Sequence, residues 1–562
     1  MPLKPMFSRA PLTRRPLAPL APEHIRLTGA AQDTLGALCA LAQEAPLTAG
    51  LCRGALQCAY LYGNDTLAER AEEWLRVQLM QQQENGALPG SRTEQVRLML
   101  AASCLYAHTG DKTLLEQMMR FCAGLSADWE QVRLDGEVMG QAADLLELLI
   151  FLYDVTGKKA LLRLMDLTRR DAMDWSGLLG TFALTRPTAK VIDRVEMEAG
   201  RQAEGNDPSG FYTRQYLATH GPALAQGIRF TALMGLYSGS ARDEAAGLTG
   251  YERIMRYHGT PCGAFTSDLH LAGGSPSAAV SAQAAGETAR ALAQVWLCGG
   301  KPQAGQALAA LMTNALPAFL PQGRLLPYLR TNSLSVNAGV KDCYAPEGTE
   351  ADALAALMNG FAAAVCASCA MTEEGVTLGL LLPGTYTLRL KGERVRLTVT
   401  GEGERLTLTL HMKEAAEAAL SLRIPAWAQD ACVEVGSEGG DAPAAGSMFT
   451  LRRTFQDGDT VTVLLPSPLR VTEGYHQSVS VYRGDLLLAL PAEEDRWRVA
   501  LDDVEGTDTA VLRVTPAWKT RVRFPADPPI APQEEGAPFT AELTPFAAAP
   551  CRIAAFPKGT KA

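Results

Sequence analysis

The residues most able to do chemistry gather in two short stretches. One is His220, which precedes Gly-Pro at the start of a helical run, HGPALAQGIRF. The other is YHGTPCGAFTSDLHLAGGSPSAAV, which sets Tyr257, His258, Asp268 and His270 among glycines, alanines and serines. Asp268 and His270 are two residues apart, so an extended backbone turns both side chains to the same side. Imidazoles and a carboxylate in a small-residue loop suit hydrogen bonds to the hydroxyls of a sugar, or the stapling of the loop itself. Three further acids follow: Glu287 opens ETARALAQVWL, and Glu347 and Glu350 stand in YAPEGTEADAL. An acid at a helix start has a ready structural reading, because negative charge is favourable there. The chemical reading is hydrolysis of a glycosidic bond, which needs two carboxyls about 5 to 10 Å apart across the sugar. Asp268, Glu287 and Glu347 are the catalytic candidates on that reading. His220, Tyr257, His258, Asp268 and His270 are the candidates for binding substrate.

Other suggestive residues have plainer explanations. Cys366 and Cys369 form a CxxC on an apolar helix, but a zinc site needs two more donors nearby. Asp207 in EGNDPSG reads as a turn residue, and Trp74 and Trp296 fall at apolar helical positions. There is no Walker-type phosphate loop, no Gly-x-Ser-x-Gly elbow and no His-Glu-x-x-His.

The elements that must hold these residues are mainly helices. From Gln32 to about Met371 apolar residues recur at three- and four-residue spacing. LYGNDTLAERAEEWL, YAHTGDKTLLEQMMRF and LYDVTGKKALLRLMDL repeat with glycines Gly63, Gly110 and Gly157 each 47 residues apart. Each repeat reads as a helix ending on a left-handed glycine, a polar turn and a returning amphipathic helix. LYSGSARDEAAGL and VWLCGGKPQAGQAL are later copies. Single hairpins cannot bury their apolar faces alone, so about six of them predict a closed α/α toroid with a funnel at one end. After Met371 the period changes to two, in VTLGLLL, VRLTVT, RLTLTLH and DTVTVLLP, which predicts an antiparallel β-sandwich. The expected fold class is therefore mainly α plus β. The expected divisions are an irregular arm over 1–22, an (α/α)6-type toroid over 23–371, a sandwich over 372–491 and a small terminal β module over 492–562.

Composition narrows the partners. At 562 residues with 47% hydrophobic and 20% charged residues, the chain has ordinary globular make-up. A net charge of -9, without clustered Lys and Arg, argues against nucleic acid. No window holds the roughly 18 to 20 apolar residues needed to cross a bilayer, so no membrane partner is expected. The basic pair Arg14-Arg15 lies among prolines without an apolar core behind it, unlike a secretory signal. The 12 cysteines are scattered through apolar helical text and read as buried thiols in the cytoplasm.

Several segments in order resemble one known family. AYLYGNDTLAERAEEWL, THGPALAQGIRF, YHGTPCGAFTSDLHLAGGSPS, SLRIPAWA, RRTFQDGDTVTVLLPSPLR and SVSVYRGDLLLALP are similar to stretches of the β-L-arabinofuranosidase type of glycoside hydrolase, family 127. The resemblance implies a small-molecule or oligosaccharide ligand, an arabinofuranoside or a related glycoside. It also implies a site in which a Glu and three cysteines hold zinc, with one thiolate as nucleophile and a separate Glu as acid/base. Here the chain departs from the pattern. Ungapped alignment sets Ser281 and Gln283 at the Glu-x-Cys positions, Leu269 at the acid/base, and Asp352-Ala353 at the cysteine pair. Sliding the register to Glu287-Thr288-Ala289 still leaves no cysteine, and Cys343 has no adjacent partner. Zinc is the family's expected cofactor, and with these ligands missing the expectation for this chain is none.

Three functions stay open at this level. The chain hydrolyses a glycoside through carboxylates, it binds a glycan or a partner without catalysis, or it works through Cys343 by an altered mechanism. The oligomeric state is open too, a homodimer being one arrangement.

Overall fold

The computed structural model describes residues 16–129, 134, 139–188, 214–268, 270–333, 349–401, 403–436, 439–491, 493–500, 508–515, 542–549 and 552–556. Six helices form a closed inner ring: Ala49–Tyr62, Arg92–Thr109, Ala142–Thr156, Gly221–Ser238, Ala282–Gly299 and Thr349–Ser368. Each packs on the next in chain order, and the last returns to the first. Outside them run Ala30–Glu44, Asp65–Leu79, Lys112–Ala127, Ala160–Asp171, Ala241–His258 and Pro302–Ala310. The predicted (α/α)6 toroid is the observed one. Its repeat signal has the expected cause: Gly63, Gly110 and Gly157 all take left-handed φ at the C-terminus of an inner helix.

Burial separates the two rings. Outer helices expose one polar face, whereas Gly221–Ser238 buries every residue from Gly221 to Gly235. Inner helices also approach one another closely. A Cβ on Gly286 would collide with the Ala356 backbone, so Ala282–Gly299 and Thr349–Ser368 can touch only because glycine stands there. The segment Glu350–Ser368 is apolar and long enough to cross a membrane, but it is 83% buried inside the protein as part of this ring.

The β region contains two modules whose boundary differs from the sequence expectation. Strands between Cys369 and Leu464 make two facing sheets. The next strands, Leu469–Glu473, Val479–Arg483 and Leu486–Pro491, pair instead with Thr544–Pro545 and Arg552–Ile553. The third module thus begins near residue 468 rather than 492. Alternating text looks the same in either sheet, so periodicity could not say which partner each strand takes.

The arm also differs. Ala18–Pro19 pairs with Cys369–Met371 in one sheet, and Ile25–Leu27 pairs with Gly384–Leu390 in the other. Short strands rich in proline suit sheet edges, where a missing N–H is tolerated. The expected drape is, from Ala18 on, an edge strand for the sandwich. The third module in turn holds the loop before Ala282–Gly299, where the Tyr482 hydroxyl donates to the Pro261 carbonyl at 2.8 Å.

Candidate active site

The sequence-predicted residues lie where the chain enters the inner helices. His220 immediately precedes Gly221–Ser238. Asp268 and His270 pair across a tight hairpin formed by Ser267–Asp268 and His270–Leu271. His220 and His270 are joined by a single antiparallel bridge, which brings the two stretches together at one mouth of the toroid. Gly221 allows this approach, because a Cβ there would overlap the Ser267 side chain. Leu269, Cys343, Glu347 and Asp207 lie outside the described residues, as does the side chain of Asp268.

Three rings make the core of the mouth. Tyr216 stacks on His220 with centroids 5.4 Å apart and meets His270 edge-on at 4.6 Å, and the two imidazoles are 5.6 Å apart. His220 makes no capping hydrogen bond to its helix, which removes the local-capping explanation for it. Burial, and then the neighbouring His270, pull the His220 pKa down to about 3; burial pulls His270 down to about 4. Both rings are neutral at pH 7 and act through hydrogen bonds rather than charge.

The Thr219 hydroxyl lies 3.0 Å from the Tyr216 carbonyl and 2.8 Å from His270 Nδ1. Turned to the carbonyl it leaves the hydrogen on Nδ1 and a lone pair on Nε2; turned to Nδ1 it makes Nε2 the donor, and either way Nε2 has one hydrogen bond to give. That buried Nε2 has no hydrogen-bond partner among the described residues. A polar atom left so is costly, and a ligand hydroxyl would satisfy it.

His258 and Tyr257 are placed differently. His258 Nδ1 accepts from the Gly273 backbone N–H at 3.0 Å, and its Nε2 donates to the Leu184 carbonyl at 2.7 Å. With both nitrogens engaged, His258 braces the loop. Tyr257 stands at the exposed end of an outer helix, stacked near Phe182 at 6.4 Å.

Inside the mouth the inner helices line a small cavity. Glu287, Gln283 and Asp352 are on its wall, with Arg53, Arg97, Arg290 and Asp144. The resemblance sets Gln283 and Asp352 at cysteine positions, and the structure does bring those two into one cavity. Glu287 accepts from Gln226 at 3.0 Å and lies 3.8 Å from Arg229 and 3.9 Å from Arg290.

Beneath it lies a charge cluster that the sequence reading missed. Arg229, fully buried, donates to Asp144 at 2.6 Å and Glu147 at 2.5 Å, and it also bonds Gln226. Arg290 binds the same two acids at 2.9 Å, and Arg53 reaches Glu147 at 2.6 Å. Burial alone would raise Asp144 and Glu147. The surrounding guanidiniums outweigh it and hold both carboxyls well below the usual range. Such locked anions are poor proton donors. One signal for them was available: a lone charge in apolar text, as in ADLLELLIFL and QGIRFTALMGL, whose i, i+3 spacing sets Asp144 and Glu147 on one face.

Among the described residues the donor set does not fit a zinc–thiolate centre. Ser281 Oγ caps its helix, accepting from the Ala284 N–H at 3.2 Å. Gln283 offers an amide, and Asp352 is one carboxylate. Among the described residues no three His, Cys, Asp or Glu side chains converge on a possible metal position. Cys366 is pushed up to about 12 by burial and stays a thiol. Trp296 is core, its indole N–H donating to the Ala367 carbonyl at 3.1 Å.

The fold is a helical toroid with a polar axial cleft, followed by β modules that hold its rim. Within it, residues 376–467 match the family model described as the β-L-arabinofuranosidase, GH127 middle domain. The whole fold is similar to a solved glycoside hydrolase with TM-score 0.69 at 13% identity, covering 97% of this chain and 99% of that one. It is also similar to a GH127 β-L-arabinofuranosidase from Geobacillus stearothermophilus T6, with TM-score 0.60 and 14% identity over 93% of each chain. A GH127 β-arabinofuranosidase gives TM-score 0.65 and 12% identity over 96% of this chain and 98% of that one. No curated protein matches the sequence. The likeness to GH127 glycoside hydrolases is thus one of overall fold, with a family-model match confined to residues 376–467.

Proposed function

We propose that the chain binds an arabinofuranoside or related glycoside at this mouth and hydrolyses it without the zinc–thiolate apparatus. The unpartnered, neutral His270 Nε2 and, separately, a carboxylate-lined cavity among the inner helices carry the reading. Sugar hydroxyls bond His270 and its surroundings, and His220 packs the same wall. Glu287 is the carboxylate at the reacting centre, and Asp268 and Glu347 are the candidates for the second carboxyl. Separation of the two carboxyls then decides retention or inversion. The protein is expected in the cytoplasm, which the free thiols of the described cysteines support.

A second reading is a non-catalytic glycan binder. The locked state of Asp144 and Glu147 and the unsuitable zinc donors favour it. Turnover of aryl β-L-arabinofuranosides and other aryl glycosides, read beside calorimetric binding, separates the two. Hydrolysis that falls at least 100-fold in Glu287→Gln, with binding kept, is the expected result. Binding without turnover selects the binder, and neither binding nor turnover overturns both.

A further inference from the structure

The charge cluster divides the toroid lumen, and on its far side is a second chamber at the C-terminal ends of the inner helices. Phe151, Leu297, Ala363 and Cys366 give it apolar walls, and its polar lining is Arg53, Gln57, Ser103, Glu147, Asp154 and Gln294, of which Arg53 also reaches the first cavity. The N-terminal strap closes one side: the Leu17 and Leu20 N–H groups donate to the Leu297 and Cys366 carbonyls at 3.3 and 3.2 Å.

The polar lining is incomplete. Arg53 Nη2 is engaged by Glu147, but its Nε and Nη1 are buried with no partner among the described residues. Gln294, only 9% exposed, has a buried Oε1 in the same condition. Folded proteins keep few such groups, and each orphaned one costs roughly 1–3 kcal/mol. Two cationic donors ask for an anion, the amide oxygen asks for a hydroxyl, and the walls ask for hydrocarbon.

We propose that this chamber is a second ligand site, separate from the glycoside mouth, for a small hydroxy-carboxylic acid with an aryl or alkyl body. The carboxylate accepts from Arg53, the hydroxyl donates to Gln294 Oε1, and the body lies against Phe151 and Leu297. This site does not depend on the glycoside reading.

The probe is 3-phenyllactate, titrated into the full chain by calorimetry and followed by thermal shift. A ligand of its size in such a chamber is expected to bind with Kd between about 10 µM and 1 mM. Arg53→Met should weaken binding about tenfold or more, and Gln294→Leu about fivefold. Ala363→Phe, which fills the chamber and leaves the charges alone, should abolish it. Arg53→Met leaves Glu147 bound to Arg229 and Arg290, and circular dichroism checks that each variant is folded. Absence of binding at 5 mM probe overturns the proposal. So does equal binding of the uncharged 3-phenyllactamide, or an unchanged Kd in Ala363→Phe.

Discussion

The charge cluster at the toroid axis and the imidazole pair at its mouth are both buried polar groups, yet they are completed differently. In the cluster Asp144 meets two guanidiniums and Glu147 meets three. At the mouth His270 has one partner on Nδ1 and, among the described residues, none on Nε2. Charges so compensated serve as a strut between four inner helices, although Arg53 Nε and Nη1 and Arg229 Nε have no partner among the described residues. The imidazole pair is uncharged, and it has a hydrogen bond to offer. The difference assigns structure to the one and recognition to the other.

Stability measurements can break that contrast, and the largest effect is expected at the strut. Arg229→Leu leaves buried carboxylates undercompensated and should cost about 3–5 kcal/mol in urea unfolding. His270→Leu should cost far less and mainly weaken glycoside binding. Equal losses in the two variants would erase the distinction.

The next effect is a pH dependence. His220 and His270 have folded pKa values of about 3 and 4, below the ordinary 6.5. Above pH 6.5 neither the folded nor the unfolded chain protonates them, and stability is full. Below it only the unfolded chain takes up the protons, so stability falls by up to about 1.4 kcal/mol per pH unit for each group. The buried His258, also lowered by burial, adds in the same direction. Unfolding between pH 7 and pH 5 should show this slope, and His270→Gln should make it shallower. An unchanged slope in that variant would mean that His270 is not held neutral.

The smallest effect concerns the position where the family resemblance expects a metal-ligand Glu. Ser281 is a helix cap here, so Ser281→Ala should cost about 1 kcal/mol of stability. The metal content of the purified protein, measured by mass spectrometry, should be the same in both forms. Zinc bound by the wild type and lost in the variant would return Ser281 to a ligand shell.

Much of this was legible from sequence because periodicity is local. The glycine spacing fixed the hairpins, and the swap of period at Met371 marked where helices give way to strands. The mouth was legible too, since His220 and the hairpin of His270 did converge. What escaped depends on long-range partners. Arg53, Asp144, Glu147, Arg229 and Arg290 come from four helices, and no window of sequence contains more than two of them. The allegiance of Leu469–Glu473 and the pairing of Ala18–Pro19 were hidden for the same reason. A strand's text names its face, while its neighbour is set by the whole chain.

The edge strands at Ala18–Pro19 and Ile25–Leu27 also set an order of events during synthesis. Their partners, Cys369–Met371 and Gly384–Leu390, leave the ribosome roughly 350 residues later, some 20–70 s at 5–20 residues per second. The inner ring waits as well, because its first helix closes on its last. The segment Ala18–Leu27 therefore waits without its mates for that interval.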